Sequence, residues 1–194
     1  MKKLILSLGV LIVAVTLHAQ DGPKGLNVND KAPEFSAKSQ DGKPISLKEK
    51  LKAGPVVLVF YRGQWCPYCN RELKNLEDSL SLITAKGATL IAVTPEKPEN
   101  ISKTIEKTKA TYPILFDEGL KIMKSYDVAF AVDPKTIEKY KGYGIDFNEV
   151  NGANGTNLPV PAVYIINKNG GIIYKYFDAD YRKRPSVKDL LDHL

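Results

Sequence analysis

Uninterrupted runs of apolar residues alternate along the chain with segments in which apolar residues recur every three or four positions. Runs rich in β-branched and aromatic residues predict strands that are buried on both faces of a sheet. Five such runs occupy residues 56–61, 89–94, 113–116, 161–166 and 172–176. The wider spacing predicts amphipathic helices, and the clearest apolar stripe is that of Leu73, Leu76, Leu80 and Ile83, after Asn70. Further helices are predicted at residues 98–109, 120–126, 134–140 and 186–194.

The order of these elements predicts an α/β fold. The first three strands alternate with helices, which indicates parallel pairing in a central sheet with helices on both faces. The last two strands are joined through Asn169-Gly170-Gly171 and form a hairpin, so the sheet is expected to be mixed. A second, N-terminal hairpin is predicted at residues 31–47, with its turn at Asp41-Gly42. A less regular insert at residues 129–158 precedes the final hairpin.

The first nineteen residues have the pattern of a secretory signal peptide. Lys2 and Lys3 are followed by an apolar run at residues 4–17 and by the small residue Ala19. A membrane-spanning helix needs about 20 apolar residues, so an uncleaved anchor is the less favoured alternative. We therefore expect a signal peptide at 1–19, a flexible lead at 20–27 and one domain at 28–194, exported to a periplasm or secreted without a stable membrane anchor.

Charge argues against a nucleic-acid partner. The net charge is +6, two of these charges belong to the signal segment, and the remaining lysines are mixed with glutamates as on a solvated surface. Nothing in the pattern specifies an oligomeric state.

The two cysteines, Cys66 and Cys69, form a C-x-x-C motif between a predicted buried strand and a predicted helix. A disulfide between them closes almost no loop, so a structural staple is a poor explanation. Zinc needs roughly four ligands, and the only histidines are His18 and His193, so no metal site is expected. The start of a helix favours an anion and lowers the pKa of a thiol there. This predicts Cys66 as the attacking thiolate and Cys69 as the partner in an internal disulfide; two inert buried cysteines are the alternative.

The segment from Trp65 to Cys69 resembles the active site of thioredoxin-fold proteins. Four further segments, at residues 29–35, 59–63, 158–166 and 178–185, resemble the peroxiredoxin-like branch of the alkyl hydroperoxide reductase/thiol-specific antioxidant family. The resemblance covers the chain from about residue 28 onward. It implies a thioredoxin-like fold and a thiol-dependent peroxidase that reduces a hydroperoxide through Cys66. A thioredoxin-like dithiol would regenerate it, and neither an organic cofactor nor a metal is implied.

One departure from that family concerns the residues before the motif. Typical peroxiredoxins place a proline and a threonine seven and three residues before the attacking cysteine, where this chain has Val59 and Gly63. Without the threonine hydroxyl we expect only modest peroxide reduction. Two alternatives stay open: a thiol–disulfide oxidoreductase that acts on protein disulfides, and a redox-inert binding module that docks partners on the insert.

Other residues are candidates for support of the site. A guanidinium from Arg62, Arg71 or Arg184 near Cys66 would stabilise the thiolate and orient a peroxide oxygen, with a surface salt bridge as the alternative for each. The family match favours Arg184. Trp65 is expected to pack over the site. The resemblance also implies a cis-proline opposite the motif, at Pro161, although a trans proline at the start of a strand fits the residues equally well.

Overall fold

The computed structural model describes residues 22–194. The strands are β1 (Ser36–Lys38), β2 (Pro44–Ser46), β3 (Val56–Phe60), β4 (Thr89–Thr94), β5 (Ile114–Phe116), β6 (Ala129–Ala131), β7 (Asn157–Pro159), β8 (Ala162–Ile166) and β9 (Ile172–Phe177). The helices are α1 (Leu47–Ala53), α2 (Pro67–Asp78), α3 (Leu80–Ala85), α4 (Pro98–Thr108), α5 (Lys121–Ser125), α6 (Pro134–Gly142), α7 (Phe147–Asn151) and α8 (Val187–Asp192). Two single 3₁₀ turns, Glu118–Leu120 and Gly152–Asn154, complete the set.

A five-stranded mixed sheet lies at the centre, in the order β5-β4-β3-β8-β9. Strands β3, β4 and β5 run parallel, while β8 pairs antiparallel with both β3 and β9. Every residue of β3 and β8 is buried, as the uninterrupted apolar runs predicted. The predicted α/β fold, with a mixed sheet flanked by helices, is confirmed.

Alternate residues of β3 face two separate cores, because successive side chains of a strand point to opposite faces. Val56, Leu58 and Phe60 pack with α1 and α5 on one face. Val57 and Val59 pack on the other face with α2, α3, α4 and α8, in the core that also contains both cysteines. The motif is therefore attached to the sheet through α2, whose Leu73 and Leu76 are buried beneath it.

Several elements differ from the predicted ones. The apolar stripe from Leu73 to Ile83 predicted one helix but lies on two helices, because Ser79 has a non-helical ψ of 8° and separates α2 from α3. Helix α1, which buries Leu47 and Leu51, was not predicted. Strands β6 and β7 close the insert by pairing antiparallel, with α6 and α7 between them.

The cis-proline expectation at Pro161 is wrong, since no peptide bond in residues 22–194 is cis. Pro161 is a trans proline directly before β8, and the extended chain leading to it is held by a bond from the Val160 amide to the Val128 carbonyl. A strand tolerates proline at its start, where no ladder hydrogen bond is lost.

The predicted signal peptide lies outside the described residues. Within the predicted lead, the amides of Gly25 and Leu26 donate to the Asp127 carbonyl and the Tyr164 hydroxyl. Within residues 22–194, each helix is too short or too polar to span a bilayer.

Candidate active site

The C-x-x-C motif lies where β3 leaves the sheet and α2 begins. Cys66 immediately precedes the helix, with φ −88° and ψ 110°, and Pro67 occupies the first turn, where its missing N–H costs no hydrogen bond. The Cys66 amide donates to the Gly63 carbonyl and the Asn70 amide to the Cys66 carbonyl, at 3.1 and 3.0 Å. These two bonds fix the orientation of Cys66 relative to the helix.

The two thiols are in contact, with their sulfur atoms 2.9 Å apart. The Cys69 thiol donates to the Cys66 sulfur, and this hydrogen bond is the main reason that the pKa of Cys66 falls to about 6. The charges of Arg62 and Arg184 lower that pKa further. Burial raises the pKa of Cys69 well above its usual range. At neutral pH, Cys66 is thus the thiolate and Cys69 the thiol.

Arg62 places a guanidinium beside Cys66, at the base of a cleft. One terminal nitrogen, Nη2, donates to the Tyr140 hydroxyl at 2.9 Å. The guanidinium carbon lies 4.8 Å from the centre of the Trp65 ring and 4.3 Å from that of Tyr181. The other nitrogen, Nη1, is buried without a hydrogen-bond partner in residues 22–194. Arg62 is only 5% exposed, so it does not form a surface salt bridge; it is a buried donor with one terminal nitrogen that makes no hydrogen bond in residues 22–194.

Arg184 reaches the motif from the C-terminal segment, between β9 and α8. Its Nη2 lies 3.2 Å from the Cys69 sulfur, and its Nε donates to the buried Glu72, one turn further along α2. The sequence placed this arginine in the site, but its direct contact is with Cys69 rather than with Cys66. Burial raises the pKa of Glu72, and the charge of Arg184 opposes this rise.

Glu96 lies behind the loop that carries the motif, because the parallel strands β3 and β4 end at the same edge of the sheet. Its Oε2 accepts the Gln64 amide at 2.7 Å, while its Oε1 is buried without a partner in the described chain. Burial raises the pKa of Glu96 to about 8. A Cβ atom on Gly63 would lie 2.6 Å from Glu96 Oε1 and 2.5 Å from Trp65 Nε1. Only glycine fits at position 63 in this arrangement.

The insert forms the other wall of the site. Trp65 packs edge-on against Tyr140 at 5.2 Å and at a tilt against Phe147 at 5.5 Å, so the tryptophan is clamped between the motif and α6 and α7. Arg71 lies outside this arrangement, exposed on α2 with its guanidinium 5.8 Å from the Tyr68 ring.

A cleft of about 1350 Å³ opens between the motif and the insert. The residues that line it include Arg62, Trp65, Cys66, Tyr140, Pro161 and Tyr181. Cys66 thus reaches a large open volume although its own exposure is 1%. An elongated or bulky substrate has room beside the thiolate.

Three residues of the site were not predicted from the sequence, namely Glu72, Glu96 and Tyr140. The sequence does point to Glu72, because it is a charged residue directly beside the apolar stripe of α2. Glu96 follows the carboxyl end of a buried parallel strand, where functional groups of α/β proteins commonly gather. Tyr140 ends the predicted helix of the insert, and its contact with Arg62 depends on how the insert folds back.

The AhpC/TSA family matches residues 28–175 of the sequence. The chain belongs to the AhpC/TSA family. This confirms the resemblance that the motif and its flanking segments indicated, and the match covers β1 through most of β9.

Individual relatives agree with this assignment. Chloroplastic peroxiredoxin Q of Populus jackii is 32% identical over 103 residues, which are 53% of this chain and 48% of that protein. The chain spans about half the length of the curated relatives that it matches first. The crystal structure of the Mycobacterium tuberculosis peroxidoxin BcpB superposes with a TM-score of 0.66 at 18% identity, over 86% of this chain and 94% of that one. The thioredoxin domain of a thiol-disulfide oxidoreductase from Bacteroides vulgatus gives a TM-score of 0.55 at 19% identity, over 81% and 93%. These structures show a shared thioredoxin-like fold.

Proposed function

We propose that the protein is a thiol-dependent peroxidase that reduces hydroperoxides with Cys66 and Cys69. The observation that carries this proposal is the pair of sulfur atoms 2.9 Å apart, in which Cys66 has the lowered pKa and lines the cleft, while Cys69 has the raised pKa. Membership of the AhpC/TSA family supports the same activity. The site thus holds both a nucleophile and a resolving thiol within contact distance.

The first half-reaction is attack of the Cys66 thiolate on one oxygen of the hydroperoxide. A sulfur–oxygen bond forms, the oxygen–oxygen bond breaks, and the leaving alkoxide or hydroxide takes a proton to become an alcohol or water. The sulfur is oxidised to a sulfenic acid and the peroxide is reduced. Cys69 then displaces the sulfenic oxygen, which yields the internal disulfide and water. A thioredoxin-like dithiol is the proposed reductant of that disulfide.

Arg62 supplies the group that holds the peroxide in this proposal. Its unpartnered Nη1 and its position beside Cys66 suit it to donate to the oxygen that acquires negative charge. One such donor in a preorganised site typically contributes about 10²–10³ in rate. Because Gly63 offers no hydroxyl, this site has fewer donors than a peroxiredoxin with threonine there, and we expect a modest rate.

The direct test is to mix the reduced protein with hydrogen peroxide and with an organic hydroperoxide, then follow the thiols by mass spectrometry. The parent should form one internal disulfide per peroxide consumed. Cys66→Ser should abolish the reaction, whereas Cys69→Ser should stop at a sulfenic acid on Cys66. A parent protein that leaves peroxide unconsumed, or the reverse pattern in the two variants, would reject the assignment.

A second candidate function is thiol–disulfide exchange with protein substrates. It is favoured by the exclusion of threonine at Gly63, since exchange requires no hydroxyl to hold a peroxide oxygen. Attack by Cys66 on a substrate disulfide would give a mixed disulfide, which Cys69 would resolve. Refolding of a reduced or scrambled disulfide protein, measured beside peroxide turnover, ranks the two activities; exchange without peroxide consumption would favour this candidate.

We propose, from the basic and apolar start of the sequence, that the protein is exported and cleaved near Ala19. The intact mass of the protein recovered from its host tests this. A mature chain that begins near Gln20 is expected, and retention of Met1 would contradict it.

A further inference from the structure

We propose that Arg184 is the positioning residue of the resolving step, in which it stabilises the thiolate of Cys69. In this proposal Arg62 acts on the attacking sulfur of Cys66, and Arg184 acts on the resolving sulfur of Cys69. This proposal rests on the proposed redox function, because it concerns the second half-reaction of the same two cysteines. It assigns a separate task to an arginine that sequence alone placed at Cys66.

The guanidinium of Arg184 is held on all its sides. Nε donates to Glu72 Oε2, and Nη1 donates to the carbonyls of Tyr181 and Lys183, each at 2.6 Å. Nη2 is left to point at the Cys69 sulfur, 3.2 Å away. The side chains of Arg184 and Glu72 are only 11% and 5% exposed, so water competes little for these bonds. The result is a fixed N–H donor aimed at one sulfur.

The resolving thiol needs such a donor. Cys69 is fully buried, and burial disfavours the thiolate that must attack. In the resolving step the Cys69 thiol gives up its proton and its sulfur attacks the sulfur of the Cys66 sulfenic acid. The sulfur–sulfur bond forms, the sulfur–oxygen bond breaks, and the departing hydroxide takes a proton to give water. A charged donor on the Cys69 sulfur lowers the free energy of the thiolate on this path.

The titratable and charged groups that surround Cys69 come from four elements. Cys66 precedes it on the motif, and Glu72 follows on α2. Tyr61 and Arg62 approach from the end of β3, and Glu96 from the end of β4; a negative charge on Cys69 raises the pKa of both Tyr61 and Glu96. Arg184 is the only cation among the described residues with a side-chain hydrogen bond to the Cys69 sulfur.

The test separates the two half-reactions in stopped-flow and quench experiments on the full chain. Reduced protein is mixed with hydrogen peroxide, and the sulfenic acid and the disulfide are quantified over time by mass spectrometry after trapping with a sulfenic-acid reagent. Arg184→Gln should form the sulfenic acid within about twofold of the parent rate. It should form the disulfide at least tenfold more slowly at pH 7, with the pH midpoint of that step moved upward. Arg184→Lys should restore part of the rate.

Two matched variants distinguish this role from a merely structural ion pair. Arg182→Gln removes an exposed arginine of the same segment that pairs with Asp180, and it should leave both steps unchanged. Glu72→Gln removes the ion pair but keeps an oxygen that accepts the Arg184 Nε–H, so resolution should stay within a few-fold of the parent. If Glu72→Gln slows resolution as much as Arg184→Gln does, the ion pair and not the donor is responsible, and the proposal is wrong.

A second substrate keeps the proposal testable if peroxide is not reduced at all. Cys66 can be loaded with a chromogenic aromatic thiol as a mixed disulfide, and Cys69 then displaces that thiol in a step followed by absorbance. Slow release in Arg184→Gln with normal release in Arg182→Gln supports the role of Arg184 independently of peroxidase activity. Equal release rates and pH profiles in the parent and Arg184→Gln would overturn it.

Discussion

The packing around Gly63 leaves no room for a side chain, so this chain has no hydroxyl three positions before Cys66. The space that a side chain would need is filled by the Trp65 indole nitrogen and by a carboxylate oxygen of Glu96. Glu96 cannot easily withdraw, because its other oxygen accepts the Gln64 amide and the whole side chain is buried. The missing threonine is therefore coupled to the presence of Trp65 and Glu96 in the same loop.

Gly63→Thr should accordingly destabilise the protein and should not raise its peroxidase rate. Forcing a larger side chain into a packed site typically costs about 1–3 kcal/mol. Gly142→Ala is the control, since a Cβ there meets open space. Urea unfolding and peroxide consumption measure the two effects. A threonine variant with parental stability and a faster reaction would contradict the packing argument.

The acidity of Cys66 predicts how its reactivity depends on pH. With a pKa of about 6, the thiolate fraction rises between pH 5 and pH 7 and is nearly complete above. Alkylation of Cys66 by iodoacetamide should therefore show a midpoint near pH 6, against about 8.5 for an ordinary thiol. In Cys69→Ala the midpoint should move upward, because the hydrogen bond from Cys69 is the main cause of the shift. An unchanged midpoint in that variant would assign the acidity to another group.

The ends of β3 and β4, the start of α2 and the folded insert together form the site. The apolar runs of the central strands and the position of the motif could be predicted from sequence, because burial on both faces leaves a continuous pattern. The break between α2 and α3 at Ser79 could not be predicted, because the helical spacing of the apolar residues from Leu73 to Ile83 continues across this one non-helical residue. The burial of Glu72 and Glu96 also escaped prediction, because it depends on partners that are distant along the chain.

A hydroxyl of α6 connects the insert to the guanidinium of Arg62. Tyr140 accepts the Nη2 hydrogen bond of Arg62 and so fixes the guanidinium that faces Cys66. Tyr140→Phe keeps the ring contact with Trp65 but removes this acceptor from a buried charged donor, which typically costs about 1–3 kcal/mol. The rate of Cys66 oxidation by peroxide should fall, because Arg62 then loses its fixed orientation.

Tyr143→Phe is the matched control for that substitution. Tyr143 is 68% exposed and packs edge-on against Tyr140 without a contact to Arg62, so removal of its hydroxyl should leave both stability and oxidation rate unchanged. Stopped-flow oxidation of the two variants by hydrogen peroxide provides the comparison. Equal rates in Tyr140→Phe and the parent would show that the insert does not orient Arg62.

Two buried carboxyl groups, those of Glu72 and Glu96, flank the pair of thiols. Glu72 is paired with Arg184, while no Lys or Arg in residues 22–194 forms a salt bridge with Glu96. Burial raises the pKa of Glu96 to about 8, whereas an unfolded glutamate titrates near 4.3. Between these values the folded protein keeps a proton that the unfolded chain releases. The contribution of Glu96 to stability is therefore complete below about pH 4 and is lost as the pH rises through 8.

Glu96→Gln should remove this pH dependence while its amide oxygen still accepts the Gln64 N–H. At pH 4, position 96 is neutral in both folded proteins and mostly neutral in the unfolded chains, so the two proteins should unfold with similar free energies. As the pH rises toward 8, the variant should become the more stable by up to about 1.4 kcal/mol per pH unit. Urea unfolding at pH 4, 5, 6, 7 and 8 measures the difference, with the exposed Glu106→Gln as a control that should show no such trend. A difference that stays constant with pH would mean that Glu96 is already ionised in the folded protein, and that the loop holding Gly63, Trp65 and Cys66 is built around a buried negative charge.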